Sequence, residues 1–466
     1  MNKPRALIVL CFYSVILTAV NLQAQSGIYD RVGVIPGHGM FGSLPEENID
    51  LFTGNVTLRY RDVFLPGPEG LNVEVWRVYN SKILKDRQSG NPVVQAYHKS
   101  WVGIGWTMHM GMVHQETSNT PVIEFPDGRL ETACLDKYDA SNRNLTRDFL
   151  RYDKVSHKLY FQTGVIWTFG ATATITRADG TSDPVRLVTM IENSLGYSIS
   201  VIYVAQTTAI SMIVDSYGRL VTFASTGNPR NLTSITLKDA IGNNKIITYN
   251  VGTFSPSGYY KLISVHLPDA DLASTTFEYN GGTSSDFELK KVTTSYGGVL
   301  EYSYADHFFF FNTIQLISRV VSQKKITFNS GEQASVWNFN YPDYNGVASG
   351  TASVQGPLYN SSVTYNAYDP TCAWKIGTLS AREYSDGSYS ETTDWTFQEI
   401  SDQTWNVLGT DMGKAKGPLV ASVTRHKAGG AHYKVESLFE IGQYKRYGLP
   451  SKELQYCKRR GLGSKL

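Results

Sequence analysis

Apolar and polar positions alternate along much of this chain with a period of two. Val56, Leu58 and Tyr60 alternate with Thr57, Arg59 and Arg61, and Leu71, Val73 and Val75 alternate with Asn72 and Glu74. Pro66-Gly67-Pro68-Glu69-Gly70 breaks the chain between them. This is the signature of two half-buried strands joined by a wide loop. Tyr160-Phe161 and Ile166-Trp167-Thr168-Phe169 flank a Thr163-Gly164 turn and predict a second hairpin. Val336 to Tyr341 alternates in the same way, and Asp386-Gly387-Ser388-Tyr389 before Trp395 predicts one more turn and strand. Helical periodicity is nearly absent, so the pattern predicts an all-β chain.

From about residue 187 a looser unit takes over. Each copy opens on Leu or Ile, two residues, then Ile or Val, with openings near Leu187, Ile210, Leu232, Leu262, Leu289 and Ile317. A turn follows, as in Asn193-Ser194-Leu195-Gly196, Asp215-Ser216-Tyr217-Gly218-Arg219, Asp239-Ala240-Ile241-Gly242 and Tyr296-Gly297-Gly298. The copy closes on an aromatic residue: Tyr203, Phe223, Tyr249 or Tyr304, with Tyr279 closing a copy that has lost its Gly. Self-similarity at this period marks an array of stacked units. Gly supplies positive φ at the turn, and Asp or Asn accepts backbone hydrogen bonds there. The aromatics are expected to form a cross-strand ladder, and Arg219 to reach acids of the neighbouring unit. Residues 25–45, Gly-rich and without periodicity, read as an exposed leader.

The two ends change the picture. Lys3 and Arg5, the apolar run Ala6 to Val20 and Leu22-Gln23-Ala24 form a secretory signal cleaved near Ala24. Removing Lys3 and Arg5 from the 43 basic residues leaves 41 against 41 acidic. Neutrality gives no reason to expect nucleic acid or an anionic membrane as partner. No second apolar run is long enough for a transmembrane anchor in the mature chain. The division read from sequence is a signal peptide over 1–24, an N-terminal β-rich region over 25–180, a repeat sheet over 181–450 and an irregular tail over 451–466. The patternless tail, with nothing resembling an array cap, is expected to be a truncation. Cys134, Cys372 and Cys457 are too far apart for a zinc site. One long-range disulfide with a spare thiol and three buried free thiols both remain open.

In series, Asp50-Leu51-Phe52-Thr53-Gly54-Asn55-Val56, Val78-Tyr79-Asn80-Ser81, Gly103-Ile104-Gly105-Trp106-Thr107, Phe125-Pro126-Asp127-Gly128-Arg129 and Asp215-Ser216-Tyr217-Gly218-Arg219-Leu220 resemble the N-terminal region of an Rhs/YD-repeat protein. The resemblance covers roughly residues 45–450. It implies an antiparallel sheet wound as a spiral shell, as in Tc toxin B and C subunits and teneurins, that encloses a toxin or binds partners. Tyr304-Ala305-Asp306 only approximates the family's Tyr-Asp pair, and too few repeats are present to close a shell.

Candidate chemistry is sparse. Gly37-His38-Gly39-Met40-Phe41-Gly42 matches a dinucleotide fingerprint, but Ser43-Leu44-Pro45 follows where a helix is required. His98, His109 and His114 suggest a metal cluster, yet residues five apart on a strand face opposite ways, so His109 and His114 are not expected to converge. Asp306-His307 precedes Phe308-Phe309-Phe310-Phe311, which reads as buried strand with no nominated nucleophile. Glu46-Glu47 and the Asp269-Asp271 pair read as turn formers rather than glycosidase acids, and Asp269-Ala270-Asp271 as a turn rather than a calcium site. Trp101 and Trp106 beside Gly103 and Gly105 read as core packing. No catalytic, cofactor-binding or metal-binding residue is nominated, and no cofactor. The expectation is a secreted or cell-envelope, non-enzymatic β-scaffold. Its partners would be a toxin or effector cargo, further Rhs shell, or a cell-surface protein or glycan. The alternative is a surface adhesin or carbohydrate-binding β protein, and a secreted hydrolase is a third reading.

Overall fold

In the computed structural model, residues 28–465 are described apart from short stretches at 86–92, 95–99, 177–181, 228–229, 282–286, 428–430, 440–449, 460–461 and some single positions. The expected signal peptide over 1–24, His98 and Tyr447-Gly448-Leu449 lie outside the described residues, as does the side chain of Cys457. The protein is all-β, with 58% of residues in strands and a long antiparallel sheet that does not close into a barrel. No helix among the described residues is long and apolar enough to cross a membrane.

The sheet is a meander. Strands from Cys134–Leu135 to Leu462–Lys465 each pair antiparallel with the next along the chain. The 180/181 boundary falls between Ile166–Thr176 and Ser182–Glu192, which pair with each other, so one sheet runs through it. Ser182–Glu192 is also a branch point. On one side Met190 to Glu192 continues the meander to Ser198–Tyr203, while Val185 to Leu187 pairs with Met112–His114. The tail is not irregular: Lys452–Arg459 pairs with Ala431–Leu438.

Val56–Leu65 and Val73–Asn80 form the predicted wide-looped hairpin, and Lys158–Tyr160 pairs with Ile166–Thr176 across Gly164 (φ 84°). The first hairpin belongs to a separate five-stranded sheet, with Met40–Phe41, Glu47–Asp50 and Trp106–Thr107. Much of this sheet lies in the interior, with Ile49, Val56, Leu58, Val73, Val75, Tyr79 and Trp106 buried, while the wide loop at Pro66, Glu69 and Gly70 is exposed. Ile28, Tyr29 and Ile35 of the supposed exposed leader are 2%, 1% and 8% exposed. Tyr29 stacks on Phe309 with ring centroids 4.3 Å apart. Burying those side chains outweighs the lack of local regular structure.

The repeat has a definite geometry. In its hairpins Gly196, Gly218, Gly242 and Gly297 (φ 84°, 74°, 90° and 85°) each donate to the carbonyl three residues back. Asp215 Oδ1 accepts the amides of Tyr217 and Arg219 at 3.0 and 2.9 Å, and Asp239 holds Ile241 and Asn243 at 3.1 and 2.9 Å. These are turns with αL glycines, set by local side-chain hydrogen bonds. Arg219 does not reach a neighbouring unit. Its Nε donates to Asp215 at 2.7 Å and it reaches the Pro66 carbonyl at 2.6 Å.

The spacing Leu-x-x-Ile conflicts with a period of two, and a β-bulge resolves it. Ser225 pairs with Leu232 and Ala224 with Ser234, which leaves Thr233 extra. Leu232 and Ile235 therefore both face inward and are 0% exposed. The same bulge leaves Ser211, Ile263 and Lys290 extra after Ile210, Leu262 and Leu289. Two openings shift from their expected places. The first bulge follows Val188, and the sixth follows Val321 rather than lying near Ile317, where Leu316 faces the core instead. Leu379 and Val420 carry the device onward.

The closing aromatics do not stack as one ladder. Instead Tyr203, Tyr279, Tyr304 and Tyr341 donate their hydroxyls to the carbonyls of Val188, Leu262, Leu289 and Val321 at 2.8–2.9 Å. Trp395 Nε1 caps the Leu379 carbonyl at 2.6 Å. A bulge takes a carbonyl out of the ladder, and the next strand's aromatic satisfies it. Phe223 and Phe277 meet N-terminal rings, Trp101 at 6.0 Å and Trp106 at 5.1 Å.

The late hairpin Tyr389–Val407 and Thr410–Lys427 folds back onto the early arm. Leu145 and Phe149 share a core with Ile400, Ala415 and Leu419. The Lys137 amide donates to the Ile400 carbonyl at 2.9 Å.

Candidate functional site

The concave face of the repeat sheet meets the N-terminal segment along an ordered row of contacts. At five of these eight bulges the opening residue donates its amide to the N-terminal segment. Val188 donates to the Gly111 carbonyl at 3.1 Å, and Leu232 to the Trp101 carbonyl at 2.8 Å. Leu289 donates to Tyr79 Oη at 2.7 Å. Val321 donates to the Gly54 carbonyl at 3.1 Å, and Leu379 to the Gly37 carbonyl at 2.8 Å. The acceptors fall in reverse chain order, so the segment runs antiparallel to the direction in which repeats are added. Gly37, Gly54 and Gly111 hold φ of 87°, 73° and 117°. A Cβ at Gly54 would overlap Val320.

Buried charges fix the register of this row. Glu47 and Lys324, both 0% exposed, form an ion pair, and Tyr302 donates to Glu47 at 2.5 Å. Burial and Glu47 act on Lys324 in opposite directions, and its pKa ends below the ordinary lysine value. Arg77 grips Asp62 through two hydrogen bonds of 3.0 and 3.1 Å, and Tyr249 donates to the same carboxylate at 2.7 Å. Lys82 donates to Ser318 Oγ at 2.7 Å, and Ser318 donates to Asp30 at 2.6 Å. Charged groups this deep need their partners to be tolerated.

Four of the five motifs behind the family resemblance converge on Asn80. Its Oδ1 accepts from the Gly33 amide at 2.7 Å and Asn55 Nδ2 at 3.0 Å, while its Nδ2 donates to the Asp127 carbonyl at 2.9 Å. The Asn80 amide donates to the Gly105 carbonyl at 2.8 Å, and Ser81 Oγ accepts the Val56 amide at 2.8 Å. Four pieces far apart in sequence thus share one buried junction, whose chemistry is structural.

The histidine expectation is overturned. His109 and His114 both reach Glu124, at 3.3 and 2.7 Å, and His114 Nδ1 lies 2.8 Å from Asp183. Gly111 (φ 117°) turns the chain between them, so strand alternation does not apply. The cluster lies at the branch point, since His114 pairs with Val185. Burial opposes the charge on His114, but hydrogen bonds to Asp183 and Glu124 prevail and raise its pKa to about 9. Glu124 is held well below the usual carboxylate range because the two histidines outweigh its burial. His109 Nδ1 accepts the Gly111 amide at 3.0 Å. That puts the ring proton on Nε2, facing Glu124, where a metal ligand would need a lone pair.

The other candidates stay apart. Gly37-His38 is followed by the strand Met40–Phe41, and His38 Nδ1 lies 2.8 Å from Asp50. Phe309 and Phe311 are buried while Phe308 is 49% exposed, and His307 Nε2 lies 3.2 Å from the Pro342 carbonyl. Asp269 accepts the Asp271 amide at 3.1 Å within its turn, and Glu47 is committed to Lys324. Trp101 and Trp106 are buried core residues. Cys134 and Cys372 are free thiols, and burial pushes Cys134 up to about 11. A groove of about 280 Å³ beside the branch, lined by residues such as Thr189, Tyr203 and Gln206, gathers no acid, base or nucleophile set.

No protein-family model matches the sequence, and no curated protein matches it. Among solved structures the chain is similar to the TcdB2-TccC3-Cdc42 structure at 10% identity, with a TM-score of 0.24, covering 87% of this chain and 26% of that chain. It is similar to TcdB2-TccC3 at 9% identity, with a TM-score of 0.22, covering 84% of this chain and 28% of that one. The chain spans about a quarter of the length of the structures it matches.

Proposed function

We propose that this protein is an exported, non-enzymatic β-scaffold, a shell portion in the manner of an Rhs/YD-repeat protein, whose curved sheet holds or presents a polypeptide partner. The observation that carries this reading is the repeated bulge. One local device, placed once per unit, bends a continuous sheet around an interior and offers amides to whatever fills it. Motif order along residues 45–450 supports the same reading, as does the pairing of Glu47 with Lys324 and of Asp62 with Arg77 across the interior. Cargo and shell partners are part of this proposal, as is passage through the secretory pathway.

The protein over residues 25–466, purified from its exported form, tests the reading. A glycan array should give no selective binding, and a panel of glycosidase, protease and esterase substrates no turnover. Selective glycan binding would replace the scaffold by an adhesin, and reproducible turnover lost on point substitution would replace it by a hydrolase. Mass spectrometry of the mature N-terminus should find cleavage near Ala24.

A further inference from the structure

We infer that the row of bulge amides is a docking track that reads polypeptide main chain, and that the described residues between 28 and 111 are its resident occupant. The inference rests on the scaffold reading and deepens it by naming the class of partner: a polypeptide segment that is extended or in glycine turns, not a folded surface or a sugar.

Three observations carry it. The donors at Val188, Leu232, Leu289, Val321 and Leu379 occupy one equivalent position in five of the eight bulged units. Four of their five acceptors are main-chain carbonyls, three of them at positive-φ glycines. The acceptors, from Gly111 back to Gly37, are met in strict reverse order. A main-chain carbonyl is present at every residue of any polypeptide, so a track built this way places little demand on sequence. Gly is favoured because the track approaches too closely for a Cβ, as at Gly54 against Val320 and Gly103 against the Leu262 backbone. Side-chain identity enters elsewhere, through Glu47–Lys324 and Asp62–Arg77–Tyr249, which set register. The track grips and the ion pairs select, so the two kinds of contact are separable.

The test uses the full chain with the loop Leu51–Asn55 replaced by a two-residue Asn-Gly turn, which removes the Gly54 carbonyl from Val321. Amide hydrogen exchange is followed residue by residue. Val321 should exchange about tenfold faster or more, while Val188, Leu232 and Leu379 keep their protection. A soluble peptide of sequence LFTGN at millimolar concentration should restore protection at Val321, and so should a peptide that keeps the glycine but scrambles the other side chains. Unchanged exchange at Val321 in the shortened chain, or rescue by the native peptide alone, would overturn main-chain reading. Should the shortened chain fail to fold, Tyr79→Phe removes the acceptor of Leu289 in an otherwise intact interior. Faster exchange at Leu289 alone is then expected, and exchange spread over all five amides would overturn independent sites. Glycan binding or turnover in the earlier assays would remove the scaffold reading while leaving the exchange result standing.

Discussion

The repeat sheet and the N-terminal segment solve opposite problems. The sheet is assembled from contacts close in sequence: a turn capped by its own Asp or Asn, a strand that pairs with the next, and an aromatic that caps a carbonyl 15 to 20 residues earlier. The segment is held largely by contacts remote in sequence, among them buried hydrogen bonds 187, 255 and 289 residues apart. Local rules can therefore be repeated and extended, whereas the interior is specified once. Loss of one sheet contact should cost little, and loss of a buried charge in the interior should cost much more.

The sharpest way to break this contrast is Glu47→Ala, which leaves Lys324 buried without its carboxylate. A loss of about 3–5 kcal/mol is expected in urea unfolding. Replacing the pair by Glu47→Leu with Lys324→Met should restore most of it. Equal losses for the single and double variants would show that the pair does not set the interior.

A pH series addresses the branch point. The pKa of His114 is raised to about 9 in the folded protein from an ordinary 6.5, so its stabilisation is complete below about pH 6.5 and lost as pH rises through about 9. Between pH 6 and 10 the unfolding free energy should fall by on the order of 2–3 kcal/mol more than in His114→Gln. Parallel curves for the two proteins would remove the imidazolium from the account.

Gly54→Ala combines positive φ with the overlap on Val320 and should cost about 2 kcal/mol. The smallest effects belong to the sheet. Asp215→Ala and Tyr304→Phe should each cost about 1 kcal/mol, with faster amide exchange confined to the adjoining hairpin. A larger or more widespread effect at either position would erase the distinction between the regions.

The hairpins were legible because alternation and turn residues are local signals: Val56–Leu65 with Val73–Asn80, and the turns at Asn193, Asp215 and Asp239, fall where the pattern predicts. The bulge was visible only as an anomaly, a Leu-x-x-Ile spacing that an unbroken strand cannot bury on one face. Ile317 shows the limit, since an apolar spacing alone does not reveal which residue is extra. The interior was not legible. Ile28, Tyr29 and Asp30 sit in a Gly-rich stretch with no period, and Lys324 looks like any strand lysine until Glu47 is placed opposite it. The His109–Glu124–His114–Asp183 cluster was hidden by the assumption of an unbroken strand, although Gly111 between the two histidines is a signal that could have exposed it.

By itself the sequence determined an all-β chain, its repeat, its turn chemistry and an ordered set of motifs, because each depends on residues a few positions apart. Only the tertiary structure decided that the repeats bulge at one shared position, that four of the motifs meet at Asn80, and that the N-terminal segment meets the sheet in reverse order. Those outcomes depend on which buried amides, carbonyls and charges find partners across hundreds of residues, and that pairing has no local signature.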